Sequence, residues 1–267
     1  MSKVNNETAV VTGASGGIGA IYAERLAARG YDLILAARSG DRLKDNAERI
    51  RAASGRKVDV IVADLTKAED IAKVSGQFAA NESITMLVNN AGTMLSGGFL
   101  ENDAQGIADL IALNITAPTV LASAAARTFV EKKNGAIINI GSVVTFIPEM
   151  FGGAYGGSKA YILNLSQSLA AQLKDAGVRV QAVLPGPTRT GIWSVGGLDP
   201  DAMMPGKIMS AEDLVDAALV GFDAGESVTI PSLEDDTLWA RFESARFAVA
   251  PNLAQREPAK RYRVAHE

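Results

Sequence analysis

Short apolar runs alternate with longer segments of helical composition along most of the chain. Residues 33–36 are continuously apolar, and the other short runs are rich in valine, isoleucine and leucine. Strands that are buried on both faces have this composition, because helices cover both sides of a parallel sheet. The pattern predicts seven strands, at residues 8–12, 32–37, 58–63, 85–89, 136–141, 178–184 and 227–230.

Helical composition is found in six segments, at residues 17–29, 41–53, 67–80, 103–130, 154–176 and 211–224. Thr66 precedes Glu69 by three positions, and this spacing predicts an N-cap for the third helix. Ser210 and Asp213 have the same spacing at the start of the sixth helix. The regular alternation predicts an α/β fold, a doubly wound Rossmann-type domain with a mainly parallel seven-stranded sheet and helices on both faces. Ligands of such sheets bind at the carboxyl ends of the strands.

The length of 267 residues suits a single domain of this kind. We predict a core over residues 7–230 and a C-terminal extension over residues 231–267. Residues 186–210 are the main irregular stretch of the core and contain several glycines and prolines. Because a loop of this length inside a compact domain is usually functional, we predict that it forms a lid over the substrate.

Composition excludes several classes of chemistry. A net charge of −4 offers no basic surface for a phosphate backbone, so nucleic acid is not an expected partner. The absence of cysteine excludes disulfides and thiol catalysis, and the one histidine, His266, is penultimate, which argues against a Ser-His triad or a metal site. No window approaches the roughly 18 consecutive apolar residues of a membrane span, and the first residues are too polar for a secretory signal. We expect a cytoplasmic protein without a membrane partner.

A glycine-rich turn follows the first predicted strand and opens the first predicted helix. Gly13, Gly17 and Gly19 have the spacing Gly-x-x-x-Gly-x-Gly. Glycines in this position let the backbone approach a pyrophosphate, whose charge the amide groups and dipole of the helix N-terminus attract. An ordinary glycine-rich turn is the alternative, and the strand–turn–helix context disfavours it. With no lysine in the loop, the segment is not a Walker-type site.

The second predicted strand ends near Arg38 and carries no acid at its tip. An acid at this point usually accepts hydrogen bonds from the adenosine ribose, whereas a guanidinium can bind a 2′-phosphate in a bidentate contact. Asp32 lies at the opposite end of the strand. The sequence therefore favours NADP(H) over NAD(H), the alternative being that Arg38 is a solvated surface residue.

Tyr155 and Lys159 lie four residues apart at the start of a predicted helix and so share one face. A neighbouring ammonium, together with the positive nicotinamide ring of an oxidised cofactor, would lower the pKa of a phenol, which is about 10 in water, toward the range that suits a general base. Ser142 follows a buried strand, where its hydroxyl could donate to the same carbonyl, although an isolated serine there would more often be a loop or cap residue. Asn114 lies inside a helical pattern, where its amide could hold a water or simply pack at a helix interface.

Together these residues resemble the short-chain dehydrogenase/reductase family over roughly residues 7–230. Residues 12–19 are similar to the family's Thr-Gly-x-x-x-Gly-x-Gly loop, and residues 89–92 to its Asn-Asn-Ala-Gly motif after the fourth strand. Asp64 resembles the acid that contacts adenine, and residues 185–188 resemble the segment that closes over the nicotinamide. The match to the catalytic tetrad comprises Asn114, Ser142, Tyr155 and Lys159.

This resemblance implies direct hydride transfer between nicotinamide C4 and a carbonyl or carbinol carbon of a small-molecule substrate. Ser142 would orient the substrate oxygen, Tyr155 would act as general acid or base, and Lys159 would bind the nicotinamide ribose and lower the pKa of the tyrosine. Asn114 would support a water relay to solvent. The implied cofactor-binding residues are Gly13, Ser15, Gly17, Ile18, Gly19, Arg38, Asp64, Leu65, Asn90, Ala91, Gly92, Tyr155, Lys159, Pro185, Gly186 and Thr188.

Apolar side chains dominate the three segments expected to border the nicotinamide, residues 93–100, 143–151 and 191–209, and favour an apolar ketone or alcohol. Packing of the lid onto the core would explain them equally well. Their members are Met94, Leu95, Phe99, Phe146, Ile147, Met150, Phe151, Trp193, Met203 and Met204. The resemblance also implies a homodimer or homotetramer. Two alternatives stay open: a non-catalytic NADP(H)-sensing regulator, and an epimerase or dehydratase, which would need a larger substrate domain.

Overall fold

The computed structural model describes residues 7–150 and 153–263. Seven strands form one sheet in the order β3-β2-β1-β4-β5-β6-β7, and every neighbouring pair is parallel. This confirms the predicted doubly wound α/β fold. The strands are β1 Thr8–Thr12, β2 Asp32–Ala37, β3 Val58–Val62, β4 Ile84–Asn89, β5 Gly135–Ile140, β6 Val178–Val183 and β7 Val228–Thr229.

The sheet has an apolar core on each face, because successive side chains of a strand point in opposite directions. On β1, Ala9 and Val11 join one core and Val10 joins the other. The helices are α1 Gly17–Ala28, α2 Gly40–Ser54, α3 Ala68–Ala80, α4 Ala104–Ile111, α5 Ala117–Lys132, α6 Gly153–Leu173, α7 Ile192–Val195, α8 Pro200–Met203, α9 Ala211–Asp223 and α10 Asp236–Val249. Helices α1, α2 and α9 cover the first core, and α3 and α5 cover the second.

One of the two predicted N-caps is confirmed and the other is wrong. The Ser210 hydroxyl accepts a hydrogen bond from the Asp213 amide at 2.9 Å and caps α9. Helix α3 begins at Ala68, and Lys67 precedes it without a side-chain cap. The Thr66 hydroxyl donates instead to Asp64 Oδ1 at 2.9 Å, because it belongs to a turn that follows β3.

The long helix predicted over residues 103–130 is interrupted by a π-helical segment, Ala112–Thr116, between α4 and α5. Pro118 has no amide hydrogen, so the carbonyl of Asn114 loses the donor that a regular α-helix would supply. The run Ala104–Lys132 is long and apolar enough to cross a membrane by length and composition. However, α5 packs on α3, β4 and β5, as a core helix does.

Residues 186–210, which are predicted to form a lid, contain the short helices α7 and α8, and hydrogen bonds join the two ends of this segment. The Arg189 amide donates to the Met209 carbonyl, and the Met209 amide donates to the Pro187 carbonyl, both at 2.9 Å. Within the lid, the Arg189 guanidinium forms two 2.8 Å hydrogen bonds with the Asp201 carboxylate.

The chain divides into two compact units, Met1–Pro231 and Ser232–Glu267. The sheet and its helices belong to the first unit. The second consists mainly of α10, on which the rings of Trp239 and Phe242 stack with centroids 5.6 Å apart. The interpretation of the whole chain as a single domain with an extension stays a prediction.

Candidate active site

A cavity of about 600 Å³ opens at the carboxyl ends of the strands, where the loops after β1 and β4 diverge to opposite sides of the sheet. Doubly wound sheets bind their ligands at such a switch point, and the volume suits a small-molecule site. Most of the residues predicted for the site line this cavity: Gly13, Ser15, Gly17, Ile18, Arg38, Leu65, Asn90, Ala91, Gly92, Ser142, Tyr155, Lys159, Pro185, Gly186 and Thr188. Gly19, Asp64 and Asn114 do not line it.

The loop between β1 and α1 forms a cradle that only glycine permits. Gly13 and Gly17 have φ angles of +68° and +55°. A Cβ atom on Gly13 would lie 2.7 Å from Asn90 Nδ2 and 2.9 Å from the Ala91 Cα. Helix α1 begins without a side-chain cap and has no acid in its first turn. Its first amide groups are therefore available to an anion, so the loop fits the pyrophosphate of a dinucleotide.

Gly19 does not line the cavity but packs against the loop that forms the cradle. A Cβ atom there would lie 2.4 Å from Asn90 Nδ2 and 2.6 Å from the Gly13 carbonyl oxygen. The glycine thus allows α1 to pack closely against the loops after β1 and β4. Direct contact of Gly19 with a cofactor stays a prediction.

Two arginines stand at the far end of the cradle. Arg38 follows β2, and Arg42 lies in the first turn of α2 and also lines the cavity. A Cβ atom on Gly16 would lie 2.5 Å from Arg42 Nη2, so this guanidinium reaches over the glycine loop. Neither arginine forms an ion pair within residues 7–150 and 153–263. Sequence reasoning missed Arg42, although its position four residues after Arg38 was a usable signal.

Asp64 does not line the cavity, but its side chain stabilises a turn that forms part of the cavity wall. Its Oδ1 accepts hydrogen bonds from the amide and hydroxyl of Thr66, at 3.1 and 2.9 Å. Partial burial would raise the pKa of this carboxyl, but the bonds from Thr66 and the nearby charge of Arg38 hold it below its ordinary value. The resulting turn carries Leu65 into the cavity wall. A contact between Asp64 and adenine stays a prediction.

Ser142, Tyr155 and Lys159 meet in the cavity wall beyond β5 and on the first turns of α6. Burial raises the pKa of Tyr155 to about 12, and a hydrogen bond with Ser142 opposes that rise. Burial also lowers the pKa of Lys159 to about 8. The Lys159 ammonium donates to the Ile140 carbonyl at 3.1 Å and lies 5.9 Å from the centre of the tyrosine ring.

The expected lowering of the pKa of Tyr155 by Lys159 is therefore not found in the protein alone. Burial of the phenol is the main influence on its pKa, and the Lys159 ammonium donates its proton to a backbone carbonyl and carries its charge mainly below a pH of about 8. At neutral pH the tyrosine is a phenol and the lysine is mostly an ammonium.

Asn114 lies in the π-helical segment, and its side chain forms hydrogen bonds with other residues of the protein. Its Nδ2 donates to the Thr93 carbonyl at 2.8 Å and to the Ser158 hydroxyl at 3.0 Å, and its Oδ1 accepts from the Thr93 amide at 2.9 Å. The amide that was expected to hold a water instead joins the loop after β4 to α6. A water relay supported by Asn114 stays a prediction.

The remaining wall of the cavity is apolar. Of the side chains predicted to face the substrate, five line it: Met94, Ile147, Trp193, Met203 and Met204. Leu95 and Phe99 line a smaller neighbouring cavity, and Phe146 lines neither. Phe151 and the side chain of Met150 lie outside the described part of the chain. Arg189 is exposed and paired with Asp201, so it offers no free cation to this cavity. Across the described ranges, no three acidic or histidine side chains gather as metal ligands would.

The family model described as short chain dehydrogenase matches residues 7–197. A short-chain dehydrogenase from Sphingobium yanoikuyae, solved in complex with NADPH, is 48% identical, with a TM-score of 0.93 over 96% of this chain and 100% of that chain. The bulky-bulky ketone specific alcohol dehydrogenase from Comamonas testosteroni is 44% identical, with a TM-score of 0.89 over 97% and 99% of the two chains. An uncharacterized oxidoreductase from Staphylococcus saprophyticus is 32% identical over 234 residues, which are 86% of this chain and 97% of that protein.

Proposed function

The chain belongs to the short-chain dehydrogenase family, and we propose that it is an NADP(H)-dependent oxidoreductase that interconverts apolar ketones and secondary alcohols. The observation that carries this proposal is one cavity lined by the glycine cradle, by two arginines that form no ion pair with any described residue, and by the Ser142, Tyr155 and Lys159 side chains. Solved relatives that hold NADPH support the choice of cofactor.

The cradle and its surroundings would hold the dinucleotide by complementary charge and shape. The amide groups at the start of α1 would bind the pyrophosphate, and Arg38 with Arg42 would bind a 2′-phosphate. Lys159 and the segment Pro185, Gly186 and Thr188 would border the nicotinamide end. When bound, NADP(H) supplies the hydride for a carbonyl carbon or accepts one from a carbinol carbon.

In the direction of reduction, Ser142 orients the substrate oxygen and Tyr155 donates the proton. A phenol whose pKa is about 12 is fully protonated at neutral pH, so its proton is available as negative charge develops on the oxygen. The ammonium of Lys159, 5.9 Å from the ring centre, stabilises the phenolate that remains. Reprotonation of the tyrosine would pass through Lys159 and a water relay supported by Asn114.

A non-catalytic regulator on the same scaffold would bind a dinucleotide without needing a proton donor at the reacting end. Here the phenol, the serine hydroxyl and the lysine ammonium converge in one cavity wall, which supports an enzyme.

The direct test is oxidation of NADPH, followed at its nicotinamide absorbance, with a panel of apolar ketones at neutral pH. We expect turnover that depends on the ketone and is much faster with NADPH than with NADH. Binding of NADPH without turnover of any ketone or of any secondary alcohol in reverse would favour the regulator and contradict the proposal.

The pH dependence of ketone reduction should follow the charge of Lys159. Burial places its pKa near 8, below its ordinary value, so the ammonium is present at lower pH and lost above it. We expect kcat/KM for NADPH to be level between about pH 6 and 7.5 and to fall toward tenfold per unit above about pH 8, because this parameter reports groups of the free enzyme. Unfolding measured at pH 9 serves as the control, and a level profile up to about pH 10 would contradict the assignment.

Assembly as a homodimer or homotetramer and a cytoplasmic location stay predictions, the first from the resemblance to the family and the second from the composition.

A further inference from the structure

A second cavity adjoins the first on the other side of Tyr155. Its volume is about 210 Å³, and it lies between the loop after β4, the start of α6 and the lid. Met94, Tyr155 and Met203 line both cavities, so the two spaces meet at the tyrosine. The residues that line only the second cavity are Leu95, Gly97, Phe99, Asn102, Ile107, Ala154, Gly196 and Leu198.

The chemistry of this second cavity suits an apolar group of substantial size. Among the described residues, the side chains that line it are aliphatic, aromatic or thioether, and only Asn102 and the hydroxyl of Tyr155 are polar. The Asn102 amide already donates to the Gly98 carbonyl at 2.7 Å. An apolar cavity of about 150 Å³ is large enough to bind benzene, so 210 Å³ accommodates a phenyl ring or a branched alkyl group.

The boundary between the two cavities is adjustable. Two of the three shared side chains are methionines, which are unbranched and change rotamer readily. Gly196 allows the closest approach of one of them, because a Cβ atom there would lie 2.8 Å from the Met94 sulfur. A substrate whose oxygen lies at Tyr155 can therefore extend in two directions.

We propose that the second cavity is a separate subsite for one substituent of the ketone, so that the enzyme accepts substrates with a large apolar group on each side of the carbonyl. This inference rests on the proposed function and adds the residues that set specificity. One substituent would lie in the main cavity beside Ile147 and Trp193, and the other beside Phe99 and Leu198.

Ala154 offers a selective test, because it lines the second cavity only, whereas the next residue, Tyr155, lines both. We expect the wild type to reduce cyclohexyl phenyl ketone as well as acetophenone. In Ala154→Leu the added carbons occupy the second cavity, and kcat/KM for cyclohexyl phenyl ketone relative to acetophenone should fall about 30-fold. In Leu198→Ala, which enlarges the same cavity, this ratio should rise.

The matched control is Ala171→Leu, the same substitution on an exposed position of the same helix. It should leave the ratio at the wild-type value. A wild type that reduces acetophenone but not cyclohexyl phenyl ketone, or a ratio that neither Ala154→Leu nor Leu198→Ala changes, would overturn the subsite while leaving the proposed function intact. Failure of every ketone, acetophenone included, would instead count against the proposed function.

Discussion

Replacement of Tyr155 by phenylalanine should lower kcat for ketone reduction by about 10³-fold, within the range of 10²–10⁴ that a positioned general acid contributes. The ring keeps its place in the cavity wall and only the proton donor is lost. Binding of NADPH, measured by fluorescence titration, should change by less than about threefold, because the cradle and the arginines carry most of the charge-assisted contacts. The loss should therefore be found in kcat rather than in cofactor affinity.

Tyr161→Phe is the matched control for this experiment. Tyr161 lies on the same helix, is 37% exposed, and its hydroxyl is 3.0 Å from the Thr119 hydroxyl. It lines neither cavity, so kcat should stay within about twofold of the wild-type value. If Tyr155→Phe kept kcat within tenfold of the wild type, another group would have to supply the proton.

The second large effect concerns the choice between cofactors. Arg38→Asp should weaken NADPH binding by at least about 100-fold, because it removes charge-assisted hydrogen bonds and places a carboxylate beside the 2′-phosphate. NADH should bind equally well or better, since an acid at the end of β2 can accept from the ribose hydroxyls. Dissociation constants for both cofactors, measured at one ionic strength, give the change in preference directly.

Arg127→Asp makes the same change of net charge at an exposed position of α5 that lines neither cavity. It should leave the ratio of the two dissociation constants unaltered. Equal weakening of NADPH and NADH in Arg38→Asp would show that Arg38 does not bind the 2′-phosphate and would direct attention to Arg42, whose guanidinium lies against Gly16.

The fold was predictable because most of its strands are buried on both faces and therefore carry a strong local signal, β3 at the edge of the sheet being the exception. Every predicted strand lies within one or two residues of its observed bounds. The break in the long helix was missed, since residues 103–130 have helical composition throughout and the pattern of apolar positions does not reveal a π segment. Pro118 was the one local signal, because a proline there must leave the Asn114 carbonyl without its usual donor.

The sequence was a better guide to which residues form the site than to the pKa values and hydrogen-bond partners of those residues. The motifs predicted that Ser142, Tyr155 and Lys159 belong to one site. The three residues line one cavity, because each follows or faces the carboxyl end of a strand. The direction in which burial moves the pKa of Tyr155 depends on how completely the fold removes water from the phenol. The side chain of Asn114 likewise forms hydrogen bonds with Thr93 and Ser158 instead of with a water, and only the tertiary structure brings these two residues near it.

The hydrogen bonds that join residues 187, 189 and 209 have a consequence for how such an enzyme diversifies. A loop whose ends are already held together tolerates insertions well, because doubling its length adds only about 0.6 kcal/mol of closure entropy. Changes in its length or sequence would then leave the strands beneath it undisturbed. Changes in this loop can therefore alter which alcohol the enzyme accepts, while the sheet and the cofactor-binding loops stay the same.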